Sequence, residues 1–208
     1  RLVGDRRPGL HHRNTGSSIF AQRRGMAEKE GRSMRRIIAV FAAMAALLTG
    51  CSPERIQDRA YLRSAAVDSG KVTFEFFEGE PMTVPAEDLA EALREAELAS
   101  GRKIFTGYTE LIVLGNCPAK SVLGEMLTVW RVSPECIVPG SSGSAGELLT
   151  EATGELLEGS AKLAAGRGDS PESGIITVLS QLLSEKNTAE LPLADSRGVC
   201  GKITICGD

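Results

Sequence analysis

Histidine, carboxylate and cysteine positions limit the chemistry open to this 208-residue chain. Its two histidines, His11 and His12, are adjacent, and nothing after residue 50 carries an imidazole. Ser-His-Asp and Cys-His catalysis and His-ligated zinc are therefore closed to the body of the chain. Paired carboxylates remain as an acid–base device. Glu87 and Glu91 would share one helix face at (i, i+4), and two acids can run a hydrolysis. Acids in the first turns of a helix more often face its dipole, so this pair reads as helix support. Gly140–Gly146, GSSGSAG, could cradle an anion, but no Gly-Lys-Ser/Thr follows it. Ser144 and Glu147, three apart, fit a helix cap instead. Arg167-Gly168-Asp169 forms an adhesion tripeptide too short to carry weight. The expectation is a chain with no catalytic residue, no cofactor and no metal.

Five cysteines remain, at 51, 117, 136, 200 and 206. None forms the C-x2-C knuckle of a zinc site. Cys200 and Cys206 would lie about 20 Å apart on an extended strand, beyond the ~7 Å Cα separation of a disulfide. Any bridges would therefore join each of them to Cys117 or Cys136; four free thiols are equally compatible with the sequence.

Cys51 stands apart. Residues 1–33 are rich in Arg and Gly and lack apolar periodicity, so they read as upstream sequence or a disordered leader. With five Arg among residues 1–23 but little aromatic interleaving, they give no case for a nucleic-acid partner. From Met34, Arg35 and Arg36 precede the apolar run Ile37–Leu48. Its twelve residues would span about 18 Å as helix, short of a hydrocarbon core of about 30 Å. That is the length of a signal-peptide core. Leu48-Thr49-Gly50-Cys51 closes the run and resembles the bacterial lipobox. The resemblance implies a signal peptide over 34–50 and a Cys51 that carries a diacylglyceryl thioether. Such acylation anchors stably when two or more chains are present. Charge divides at the same place. Residues 1–50 hold ten Lys/Arg against three Asp/Glu, whereas residues 51–208 hold fourteen against twenty-four, a formal −10.

The elements that must position these residues alternate along the chain. Ser52–Arg63 reads as a polar spacer, and Lys71–Phe77 alternates as a half-buried strand. A helix follows over 86–100 with Gly101 beyond it, then a buried strand at Leu111–Leu114 and a helix over Ala119–Trp130. Trp130, the single tryptophan, reads as a core anchor. A brief strand at Cys136–Val138 leads to one long helix bearing Leu148, Leu149, Leu156, Leu157 and Leu163. After a linker at 166–173 come a helix at 175–184, the Leu191-Pro192-Leu193 segment and a last strand, Val199–Cys206, with no evident partner. Strand–helix alternation predicts an α/β fold in which a mixed sheet packs against amphipathic helices, following a lipoprotein signal peptide. Aromatics at 4% give no sign of an aromatic-lined pocket.

Several of these segments together resemble the N-terminal domain of the Ger(x)C spore-germination lipoproteins, the C subunits of nutrient-germinant receptors. The lipobox cysteine is followed by a polar segment and a strand ending in Asp68. SGRKIFTGYTELIVLG then matches the family's helix end and strand through Lys103, Phe105 and Gly107. Arg131, the Glu190-Leu191-Pro192 element and the closing strand complete it. The resemblance spans 51–208. Ser52-Pro53 replaces the family's Trp-Asp, Tyr108 stands where it commonly has His, and its further C-terminal domains have no counterpart here. The resemblance implies a non-catalytic subunit, anchored through Cys51 on the outer face of the inner spore membrane. Its partners would be the integral-membrane A and B receptor subunits. A lipid-anchored solute-binding or other interaction lipoprotein is the alternative.

Overall fold

The computed structural model describes residues 58–207, which belong to one compact unit. The expected signal peptide and Cys51 lie outside the described residues, as does the leader. Strand β1 (Arg59–Asp68) is an interior strand of the sheet. On one side it pairs antiparallel with β2 (Lys71–Phe76), which pairs with β3 (Met82–Pro85). On the other it pairs parallel first with β4 (Lys103–Phe105) and then with β5 (Leu111–Leu114). The sheet continues through β6 (Gly140–Ser141), β7 (Thr188–Asp195) and β8 (Gly198–Cys206). It is a mixed eight-stranded sheet, so the α/β expectation holds.

Five helices cover it among the described residues. Helices α1 (Leu89–Ser100), α2 (Ala119–Thr128) and α5 (Ile175–Leu182) pack on one face. Helices α3 (Ala145–Glu151) and α4 (Gly154–Arg167) pack on the other. Strand β5 shows why a central strand reads as an unbroken apolar run. Ile112 and Leu114 enter the first core, with Phe74, Leu123, Met126 and Leu191. Leu111 and Val113 enter the second, with Leu148, Leu149 and Leu157. No helix among the described residues is long and apolar enough to cross a membrane.

Four expectations need correction. Residues 59–63 belong to β1 rather than to a spacer. A register shift between Leu62 and Ser64 inserts an extra residue. Ala60 and Leu62 therefore face the same core as Ala65 and Val67, and the bulge erases the period-two signal. The long leucine-bearing helix is two helices. Ala152 is extended, and Thr153 caps a new start by accepting from the Leu156 N–H. Residues 136–138 form isolated bridges through Ile137 rather than a strand, and the sheet resumes at Gly140. The closing strand does have a partner: β7 runs antiparallel to it from Thr188↔Cys206 to Asp195↔Gly198.

Candidate functional site

Two carboxylates from the β1–β2 hairpin organise the second helical layer. Asp68, at the end of β1, accepts from Ser144 Oγ at 2.8 Å, Ala145 N at 2.9 Å and Gly146 N at 3.1 Å. These are donors at the start of α3, where backbone N–H groups lack partners within the helix. Ser144 caps the same turn by accepting from the Glu147 N–H, as the spacing requires. Gly115 makes room: a Cβ there would stand 2.0 Å from an Asp68 oxygen. Glu75, on β2, accepts from Gly154 N at 3.0 and 3.1 Å and so holds the start of α4. Both acids are fully engaged in structure.

The other notable constellation lies at the amino end of β1. Tyr61 and Phe105 are register partners across β1 and β4, with ring centroids 5.7 Å apart. Residues 106–109 then reverse the chain. Thr109 donates to the Thr106 carbonyl through both its N–H and its hydroxyl, and the Thr106 hydroxyl donates to the Trp130 carbonyl. The turn folds Tyr108 back to 5.1 Å from Phe105, edge to face, and to 6.1 Å from Tyr61, stacked. Gly107 permits it, because a Cβ there would stand 2.8 Å from the Phe105 ring. On the far side Phe77 donates its N–H to the Tyr61 carbonyl, and the Arg63 guanidinium lies 5.4 Å over its ring. Arg63 also pairs with Glu110 and Glu155. Arg102 donates to the Arg59 carbonyl at 2.7 Å, fixing the loop after α1 to the start of β1.

These residues enclose an open cleft of about 550 Å³ lined by Arg59, Tyr61, Phe77, Glu78, Arg102 and Tyr108, a size typical of small-ligand sites. The expectation of no aromatic-lined pocket is therefore overturned. Aromatics are few, but both tyrosines converge here. The convergence depends on the β1–β4 register, which no local pattern reveals. Phe105 and Gly107, two residues that carry the family resemblance, do not line this cleft but position Tyr108, which does.

The other singled-out residues have structural positions. Glu91 accepts from the Glu87 N–H, and the Glu91 N–H donates to the Asp88 cap, so this pair serves the start of α1. Trp130 is buried against Phe74 at 5.3 Å and donates to the Leu89 carbonyl. Arg167-Gly168-Asp169 is a helix stop in which Gly168 adopts φ 78°. Cys117, Cys136, Cys200 and Cys206 are all free thiols. Burial pushes the Cys136 thiol far above its ordinary range, with the charges of Glu158 and Glu110 adding to it. Among the described residues no His/Cys/Asp/Glu group could hold a metal ion. No protein-family model matches the chain, and no curated protein or solved structure matches it.

Proposed function

We propose that this chain is a lipid-anchored, non-catalytic subunit of a spore nutrient-germinant receptor, working beside integral-membrane A and B subunits on the outer face of the inner spore membrane. The observation that carries the reading is Cys51 at the end of Leu48-Thr49-Gly50, after a basic start and a twelve-residue apolar run. It is supported by the positions of resemblance-bearing residues: Asp68 seats α3, and Phe105 and Gly107 place Tyr108 at the cleft. The prominent carboxylates (Asp68, Glu75, Glu91) are engaged in holding helix starts, which favours a binding role over hydrolysis.

The test is labelled-palmitate incorporation and membrane fractionation of Cys51→Ala. Label and membrane retention should both vanish, together with nutrient-triggered germination. Persistence of label in the variant refutes the anchor. The cleft favours a second reading, a lipid-anchored solute-binding lipoprotein. It predicts that a small solute protects Tyr108 from chemical modification in the purified chain, an effect not required of a receptor subunit acting through protein contacts.

A further inference from the structure

The geometry points to the aromatic–arginine face at the amino end of β1 as a membrane-docking surface, seated on the lipid headgroups. This rests on the anchoring of Cys51. Eight residue steps separate Cys51 from Arg59, which lines the cleft, and they reach at most about 29 Å fully extended. The 150 residues from 58 to 207 make a domain with a radius of gyration of about 15 Å, hence roughly 40 Å across. Carrying the tether half-way round such a body needs a path of about 60 Å by the same size scaling. An acylated Cys51 therefore keeps this end of the domain, and not the opposite end, within reach of the bilayer.

Composition fits that position. The exposed aromatics among the described residues, Phe77 at 46% and Tyr108 at 63%, both border the cleft. Arg102 joins the cleft to a shallow groove that adds Arg94, Lys103 and Leu98, the last 71% exposed. Across cleft and groove four cations stand with two anions, Glu78 and Glu97, in a body where acids outnumber bases by ten. Lys103 pairs with Glu97, and Arg94 with Glu91 and Glu95, so this face is balanced rather than acidic. Tyrosine and arginine beside exposed apolar groups suit the headgroup layer, where rings sit half-immersed and guanidinium groups meet phosphates. The −10 body as a whole is not drawn to anionic lipid by its net charge.

The test uses the full lipid-modified chain floated with vesicles of phosphatidylethanolamine and phosphatidylglycerol, compared with the same protein in detergent micelles, followed by hydrogen exchange. Exchange across residues 59–61, 77–80 and 101–109 should slow about tenfold on vesicles, the factor that ~1.4 kcal/mol of contact gives, while β8 should be unchanged. Phe77→Ser with Tyr108→Ser, both at exposed positions, should float equally well and lose the slowing. A chain that floats with this face unprotected, or protected on β8 instead, overturns the docking surface and leaves the anchor standing. A chain that does not float overturns both. Protection that appears only on adding a small solute or the membrane subunits assigns the face to them and overturns the inference.

Discussion

Replacing Asp68 by Ala should destabilise the domain by about 4 kcal/mol. The carboxylate is 9% exposed and accepts three hydrogen bonds at 2.8–3.1 Å. Hydrogen bonds to a charged group contribute about 1.5–3 kcal/mol each, and they are not additive. Removing the acceptor strands Ser144 Oγ and two amides at the start of α3, and stripping one partner from a buried charged set costs about 3–5 kcal/mol. Asp68→Asn keeps one acceptor oxygen and should lose only about 1.5–2 kcal/mol. With a urea m value of about 2 kcal/mol/M, the midpoints should fall by about 2 M and about 1 M respectively. Trp130, buried in the core on the opposite face from α3, reports global unfolding by its fluorescence. A midpoint within about 0.5 M of the parent for Asp68→Ala refutes the reasoning. Equal losses for Ala and Asn would also refute it, because the side chain's acceptors would then not be what matters.

Gly154→Ala places a Cβ 1.9 Å from Ser64 Oγ and 2.8 Å from Ser64 Cβ on the strand beneath. Overpacking of about 3 kcal/mol should lower Tm by about 9 °C in calorimetry. Arg131, in the loop three residues beyond α2, has φ 55°, a left-handed backbone that suits glycine, so Arg131→Gly should raise stability by about 1 kcal/mol in urea unfolding. The raised Cys136 thiol makes stability fall with pH. Above about pH 8.5 the unfolded chain ionises this thiol while the native state keeps its proton, so up to about 1.4 kcal/mol is lost per pH unit. Urea titrations should show a steeper alkaline loss in the parent than in Cys136→Ala, where the smaller contribution of the raised Cys200 thiol remains. Among the described cysteines, the exposed Cys200 and Cys206 should react with a thiol reagent in the native protein, and Cys136 only after denaturation.

Elements with an uninterrupted local pattern were legible before the fold was known. Leu111–Leu114, the helix ending at Gly101 and the Ser144 cap all lie where spacing puts them. Long-range geometry erased the pattern elsewhere. The bulge at Arg63 switches the parity of β1 halfway along. Glu75, distant in sequence, accepts from the first amide of α4 and so supports its restart where leucine spacing suggested continuity. The cleft was hidden for the same reason: Tyr61, Phe77 and Tyr108 are neighbours only because β2 and β4 flank β1. Asp68 reads in the sequence as a strand end, but its role depends on α3, 76–78 residues further along the chain.

The placement of β1 also bears on mechanical load. It is the first strand among the described residues, and it lies inside the sheet, bonded to β2 along one edge and to β4 and β5 along the other. Tension transmitted from that end runs along the strand and across the direction of its hydrogen bonds. It therefore loads both ladders in shear together instead of opening them one at a time. Under the proposed Cys51 anchor, traction from a moving bilayer would meet the domain at a strand bonded along both edges, and the edge strands β3 and β8 would carry little of it.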